Sequence, residues 1–456
     1  MFSSRILFLG FGCVGQALAP LLMSRWQVSP DRLRALAADD QGAAVAASLG
    51  IAHEILPIVP GNLEAVLGAR LGEGDLLINV SVEVSSRALI EWSQSHGVLY
   101  LDTCVEPWAG GYRPAPGRPL AATTNHALRE AVLALRAPGK PTAIVAHGAN
   151  PGVISHLARA GLLAMAADRG LVLPQGPDAW GRLSQALGIR VIQIAELDTQ
   201  RPDRPQDEVF VNTWSAEGLL AEAGQAAECG WGSHERLLPA GAFRLGAGRG
   251  AGLHLAGMGA CTRVSSWVPG GGEQDAWLIT HHEALSLAEF LTVGGQGADD
   301  SPIAYRPTVF YAYTPCEETR RSLERWVGSG CVEPVATRVL REELAGGEDQ
   351  LGLLFVFEGG AYWYGSTVTL AEARRWSITC NATSLQVAGG ILAALEWMRA
   401  HPAEGVLEAE DLPHEPLLET ARPYLGRIEG IWTDWQPPGC RAAGGSGGLQ
   451  FAGFLV

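Results

Sequence analysis

Apolar residues in this chain come in short blocks separated by amphipathic stretches. The first block, Ile6-Leu7-Phe8-Leu9, breaks straight into Gly10-Phe11-Gly12-Cys13-Val14-Gly15. Consecutive apolar residues closed by glycine predict a strand buried on both faces. Residues 16–26 then read as a helix. Further apolar blocks at 33–40, 76–82, 98–102 and 142–146 alternate with helical stretches such as 85–95 and 127–135. Strands that alternate with helices predict crossover connections and a mostly parallel sheet. Ligands of such sheets lie beyond the carboxyl ends of the strands, which assigns 79–86, 102–108 and 147–152 to the wall of a site.

Beyond residue 150 the pattern changes. Strand signals dominate at 191–195, 208–214, 277–281, 309–313 and 351–357, with glycine-rich turns at 240–252, 270–272 and 294–297. These predict a second α+β domain with a largely antiparallel sheet over 151–380, the expected substrate-binding and dimerisation domain. Residues 383–400 predict a helix that returns to complete the first domain, 1–150. The remainder, 401–456, reads as a C-terminal segment with a flexible glycine-rich spacer at 442–448. A chain of 456 residues is too long for one ordinary core, in keeping with two domains. The fold class is α/β: an N-terminal Rossmann-type parallel sheet plus a second α+β domain.

The glycine spacing gives the first sheet its chemistry. A G-x-G-x-x-G turn that follows a strand and opens a helix is a dinucleotide fingerprint. Gly10 permits the tight turn, Gly12 lets the backbone approach a pyrophosphate, and Gly15 lets the helix pack close to the strand. Cys13 and Val14 lie between them, at a helix start whose N–H groups and dipole favour phosphate. An acid at the end of the second strand hydrogen-bonds the ribose 2′-hydroxyl. Asp39 takes that place with Asp40 in reserve, and no arginine follows closely enough to clamp a 2′-phosphate, so the expected cofactor is NAD. Ser81, Asp102 and Thr103, at the ends of later strands, complete the expected cofactor contacts.

Composition removes several classes. A net charge of −15 argues against nucleic acid and anionic membrane surfaces as partners. Away from the first strand, no stretch approaches the roughly 18 apolar residues of a membrane span. That strand reads better as part of the glycine turn than as a secretory signal, so the expected location is the cytoplasm. Lys140, in the turn 137–141, is the single lysine, which leaves an enzyme-bound Schiff base little to use. Eight cysteines stand singly with no C-x-x-C, which argues against zinc ribbons and disulfide frameworks; no metal is expected.

Carboxylates carry the remaining signal. Period-two geometry puts Glu196 and Asp198 on one face with Ile192 and Ile194. Burying them unpaired costs on the order of several kcal/mol per ion. Either a structural partner such as Arg201 or a cationic ligand is therefore expected. Trp214 precedes Glu217 and Glu222, and is either a core residue or a face for an organic cation. Glu83 and Glu106 lie at strand ends of the first domain. His281 and His282, just before Glu283, face opposite ways and do not chelate one metal; either one is a core histidine or a proton-transfer group.

Co-linear motifs run from Ile6 to about Trp435: Gly10-Phe11-Gly12, Val105-Glu106-Pro107-Trp108, Gly148-Ala149-Asn150-Pro151-Gly152, Asp198-Thr199-Gln200-Arg201, Val211-Asn212-Thr213-Trp214-Ser215, Tyr362-Trp363-Tyr364-Gly365-Ser366 and Thr433-Asp434-Trp435. Through them the chain resembles the bacterial homospermidine synthases, within the saccharopine-dehydrogenase-like enzymes. The resemblance implies a homodimeric, polyamine-forming transferase that recycles NAD. Putrescine is oxidised, ammonia leaves, the aminoaldehyde condenses with a second putrescine, and the Schiff base is reduced to sym-homospermidine. It further implies that Glu196, Glu222 and Glu283 bind the polyamine, with Asn150 a polar contact and His281 a proton relay. Trp214 is implied to stack on amine or iminium cations, and Glu83 and Glu106 to lie at the cofactor side of the substrate tunnel. The family pattern has aspartate at the position of Glu83, and its second-strand acid is displaced by about two residues from Asp39. The rivals are a saccharopine- or carboxynorspermidine-type dehydrogenase and a catalytically silent NAD-binding regulator. An α-carboxylate normally wants an arginine clamp, whereas an anionic, aromatic-lined pocket suits a diamine.

Overall fold

The computed structural model describes residues 4–206, 209–246, 250–295, 302–442 and 449–456. Residues 443–448 of the expected spacer and Glu208 of the expected strand lie outside the described residues. The chain divides into two units, Met1–Val153 with Ala371–Leu425, and Ile154–Leu370 with Gly426–Val456. Among the described residues no helix is long and apolar enough to cross a membrane.

The first unit is built on a parallel sheet. Strands β1 (Ile6–Leu9), β2 (Leu33–Ala37), β3 (Ala52–Ile55), β4 (Leu76–Asn79), β5 (Leu99–Asp102) and β6 (Ala143–Ile144) lie in the order β3-β2-β1-β4-β5-β6, and Val406–Leu407 adds a seventh strand beside β6. This is the dinucleotide-binding order, with its switch point between β1 and β4. β3 gave no apolar block because it is an edge strand with no buried residue. β4 stops at Asn79 rather than 82, because Asn79 Oδ1 accepts from the Ser81 N–H at 3.2 Å and the Ser81 hydroxyl at 2.6 Å, turning the chain out of the sheet. The helix Ala382–Ala400, opened by a capping box between Asn381 and Ser384, packs on α1 (Cys13–Trp26). At Gly390 a Cβ would overlap the Gly148 carbonyl oxygen, so this helix closes directly on the loop that carries Asn150.

The second unit holds a ten-stranded, mostly antiparallel sheet. Its central strand, Ile189–Asp198, runs parallel to Thr308–Thr314 and antiparallel to Glu348–Phe357. Gly360–Thr369 and Arg427–Thr433 extend one side. Ala226–Gly230, Gly252–Met258 and Phe243–Arg244 extend the other, and the hairpin of Arg263–Val268 and Gly272–Ile279 joins Thr308–Thr314. The strand expected at 208–214 is Phe210–Asn212, which pairs with Thr337–Val339 outside this sheet. One face of the sheet packs Val191, Ala195, Phe310, Ala312, Leu354 and Val356 against Phe451 and Phe454. Each phenylalanine so buried contributes roughly 1.5–3 kcal/mol. The segment 401–456 is therefore divided: it stays with the first unit to Leu425, and from Gly426 it supplies an edge strand and core side chains to the second. The opposite face carries Ile192, Ile194, Glu196 and Asp198, with Tyr311 and Tyr313 in register beside Ile194 and Glu196.

Candidate active site

In the first unit the glycine turn fits a dinucleotide. Gly12 caps α1 without a side-chain hydrogen bond, and a Cβ on it would meet nothing within 4 Å, which leaves an open cradle over the helix N-terminus. Gly10, at φ +85°, lies so close to β4 that a Cβ would sit 2.7 Å from the Val80 carbonyl oxygen. An open approach to a helix N-terminus of this kind favours a phosphate. Asp39 is exposed, two residues past the end of β2, and its Oδ1 accepts from the Gln41 N–H at 2.9 Å. Asp102 is fully buried; it accepts from the Tyr100 hydroxyl at 2.8 Å and the Ala146 N–H at 2.6 Å, so it ties the ends of β5 and β6 together beside half-buried Thr103. Lys140 is exposed in its turn.

Three further expected residues lie in this unit. Glu106 is buried and its Oε2 accepts from the Glu83 N–H at 3.2 Å. That contact holds Glu83 at a positive φ of 59°, with its own side chain exposed. Asn150 lies in the Gly148–Gly152 loop after β6, and both its Oδ1 and its Nδ2 are buried without a hydrogen-bond partner. Leaving such groups unmade costs about 1–3 kcal/mol each, which is reasonable where a ligand supplies the missing bonds.

In the second unit the structure brings Glu196, Trp214, Glu222, His281 and Glu283 into one connected cluster. His281 lies two residues past the hairpin strand Gly272–Ile279 as the N-cap of helix His282–Phe290, and its neighbour His282 is half-buried. The His281 Nδ1 donates to Glu283 Oε1 at 3.0 Å, and its Nε2 lies 3.3 Å from Glu222 Oε2 on the helix Ala216–Gly224. Its ring packs on Tyr311 with centroids 4.3 Å apart, and the Tyr311 hydroxyl donates to Glu196 Oε2 at 2.7 Å. Tyr311 in turn stacks on Tyr313 at 5.6 Å, and the Trp214 indole N–H reaches the Tyr313 hydroxyl at 3.3 Å. Gly218, one helical turn on, leaves room for the indole: a Cβ there would lie 3.1 Å from its edge. The Asn212-Thr213-Trp214 run thus uses every side chain, since Asn212 Oδ1 accepts from Tyr313 at 3.2 Å and Thr213 donates to Asp198 at 2.6 Å.

The electrostatics follow from burial among acids. Burial opposes a charge on His281, but Glu283 and Glu222 outweigh it and push its pKa up to about 10, so the ring is an imidazolium near neutrality. Burial likewise raises Asp198 to about 6, against the hydrogen bonds from Thr213 and Gln200. Tyr311 and Tyr313 are driven well above the usual phenol range by burial and then by Glu196, which keeps both as O–H groups. Arg201, the structural alternative as a partner for Glu196 and Asp198, is exposed while both carboxylates are buried. Glu222 Oε2 is buried with the His281 ring as its partner, and Glu283 Oε2 is buried without a hydrogen bond. Carboxylates and aromatic faces gathered in this way favour positive charge, which here is carried by the His281 ring.

Sequence reasoning did not single out Tyr311, Tyr313 or Asp349. The first two alternate along an apolar strand and read as core. Asp349 shows only through register, opposite Asp198 on the neighbouring strand.

Residues 6–145 match the family pattern of the saccharopine dehydrogenase NADP binding domain, and 148–433 that of the saccharopine dehydrogenase C-terminal domain. The chain is 40% identical over 443 residues to the homospermidine synthase of Blastochloris viridis, covering 95% of this chain and 92% of that protein. It is 37% identical over 444 residues to the homospermidine synthase of Mesorhizobium japonicum, covering 95% and 91%. The crystal structure of homospermidine synthase from Legionella pneumophila in complex with NAD superposes with a TM-score of 0.88 at 40% identity, covering 96% of this chain and 93% of that one.

Proposed function

The chain belongs to the saccharopine dehydrogenase family and, within it, to the homospermidine synthases, which are NAD-dependent enzymes; from that membership we infer how its residues divide the work. Two molecules of putrescine become sym-homospermidine and ammonia with no net redox change. Bound NAD supplies the acceptor for a hydride from the amine-bearing carbon and the donor that later reduces the Schiff base. Gly10, Gly12 and the N–H groups of Cys13, Val14 and Gly15 hold the pyrophosphate, Asp39 the adenosine ribose, and Ser81 and Thr103 offer hydroxyls at the ends of β4 and β5. Asp102 acts through the strand ends it joins.

The amine is held by the acidic cluster. The observation that carries this reading is the pair of carboxylates Glu222 and Glu283, converging on His281 with Glu283 Oε2 buried and without a hydrogen bond, beside the aromatic run Tyr311, Tyr313 and Trp214. Two carboxylates accept from an ammonium ion, and a desolvated indole face stabilises an ammonium or iminium cation by about 2 kcal/mol. Glu196, oriented by Tyr311, is a further polar contact of this cluster, and in the first unit Asn150 is the substrate contact carried by the Gly148–Gly152 loop. Glu106 and Glu83 add negative charge at the cofactor-binding unit. A substrate bearing an α-carboxylate would meet like charge in the acidic cluster, which disfavours a saccharopine-type reaction. The same reading includes putrescine as the preferred diamine, homodimeric assembly, a cytoplasmic setting and no nucleic-acid partner. Incubating the pure protein with putrescine and substoichiometric NAD, then analysing the amines, tests it: homospermidine and ammonia in equal amounts support it, and an amino-acid conjugate or no product refutes it.

A further inference from the structure

His281 sits where a substrate cation would be expected to sit. Glu283 faces it from its own helix, Glu222 from the helix Ala216–Gly224, and Tyr311 from the strand Thr308–Thr314, with Glu196 held behind Tyr311 by a hydrogen bond. Two carboxylates and an aromatic face are the donor set an alkylammonium ion needs. A neutral ring here would leave the buried carboxylates uncompensated, at a cost that a protonated ring removes. The strongly raised pKa of His281 agrees with that geometry.

The reaction imposes a conflict on this arrangement. Hydride leaves the amine-bearing carbon with the C–H electron pair while the nitrogen lone pair forms the C=N bond. An ammonium ion has no lone pair, so a base must first take its proton. An imidazolium is not a base, and it repels the arriving ammonium.

We propose that the imidazolium of His281 is a resident surrogate for the substrate ammonium: the diamine, on entering between Glu222 and Glu283, expels the His281 proton to solvent, and the neutral ring then takes a proton from the reacting ammonium. Charge balances at each stage, because one cation replaces another against the same carboxylates, and the second transfer moves one proton from nitrogen to nitrogen. Alkylammonium groups titrate near about 10.4. With the ammonium now against the carboxylates the ring is an ordinary weak base, so that transfer is uphill, the ring stays neutral in the resting complex, and hydride loss from the transiently neutral amine draws the proton transfer forward. The inference rests on the amine reading of this cluster, which product analysis decides separately.

The test is calorimetric titration of putrescine into the full-length protein loaded with NADH, a combination that cannot turn over, in buffers of different ionisation enthalpy. The wild type is expected to release close to one proton per diamine, and its affinity to rise about tenfold per pH unit between about pH 7 and 9, since the bound form carries fewer protons. His281→Gln is expected to bind putrescine with no proton release and a flat pH profile. Carbon-labelled histidine provides a readout that needs no variant: the His281 ring signal is expected to be that of an imidazolium in the free protein and of neutral imidazole with diamine at pH 8. Turnover to homospermidine with no proton released on binding, or equal release in His281→Gln, or an imidazolium signal unchanged by saturating diamine, overturns the proposal while leaving the amine reading intact. Failure to bind putrescine overturns both.

Discussion

Replacing Tyr311 by phenylalanine removes one oxygen from the centre of the acidic cluster and leaves the ring stacked on His281 and Tyr313. The lost hydroxyl donates at 2.7 Å to Glu196 Oε2, and both residues are buried. A hydrogen bond to a charged group is worth roughly 1.5–3 kcal/mol. Glu196 would keep its carboxylate but lose the donor that fixes which oxygen faces Tyr311. At about 1.4 kcal/mol per decade, the loss in kcat/KM for putrescine is expected to be roughly tenfold to hundredfold. Only the part of that free energy gained with substrate bound enters kcat/KM; the part already made in the ligand-free protein, where Glu196 Oε2 is left short of a donor, appears as lost stability. Denaturant melts with and without putrescine, alongside steady-state kinetics, separate the two effects. Tyr311→Phe is expected to be destabilised when free, to regain part of that loss with putrescine, and to bind NAD normally. Wild-type kcat/KM in a folded Tyr311→Phe protein would refute the idea that this bond orients Glu196 for the substrate.

Trp214→Phe is expected to keep part of the activity and Trp214→Ala very little, with both folded and binding NAD; an alanine variant that melts early but turns over normally would make Trp214 a core residue. Asp39→Ala is expected to weaken NAD binding and erode discrimination against NADP without changing putrescine affinity, as read by titrating each separately. Asp198 has a folded pKa raised to about 6, so the stability it contributes is present below its unfolded value of 3.8 and lost as pH rises through about 6. Asp198→Asn, which does not ionise, is expected to gain roughly 1–3 kcal/mol relative to wild type between about pH 4 and pH 8, at about 1.36 kcal/mol per pKa unit. A pH-independent difference between the two melting temperatures would contradict that.

The parallel sheet was legible because each buried strand is an apolar block ended by glycine or a polar turn. The edge strand β3 was not, because Ala52-His53-Glu54-Ile55 buries too little to leave a pattern. In the second unit the strands Ile189–Asp198 and Glu348–Phe357 carried long apolar signals. Ala226–Gly230 and Arg427–Thr433, rich in small, polar or exposed positions, did not. Period-two reading put Glu196 and Asp198 on one face, and the sheet does so. What no local pattern carries is register: that Tyr313 stands beside Glu196, or Asp349 opposite Asp198, is fixed by pairing between strands more than 100 residues apart in sequence. His281, Glu222 and Glu283 were individually visible as polar groups at element ends. Their meeting depends on two helices converging on one strand end.

In the proposed cycle one hydride leaves putrescine and returns to the product with no net redox change. Putrescine deuterated at both amine-bearing carbons, supplied with substoichiometric NAD, tests this directly by mass spectrometry of the amines and absorbance of the cofactor. The expected product is homospermidine that retains all the deuterium of both parent molecules, with no build-up of NADH. Reduced cofactor accumulating one-for-one with putrescine consumed, or homospermidine lacking one deuterium at the newly joined carbon, would contradict it.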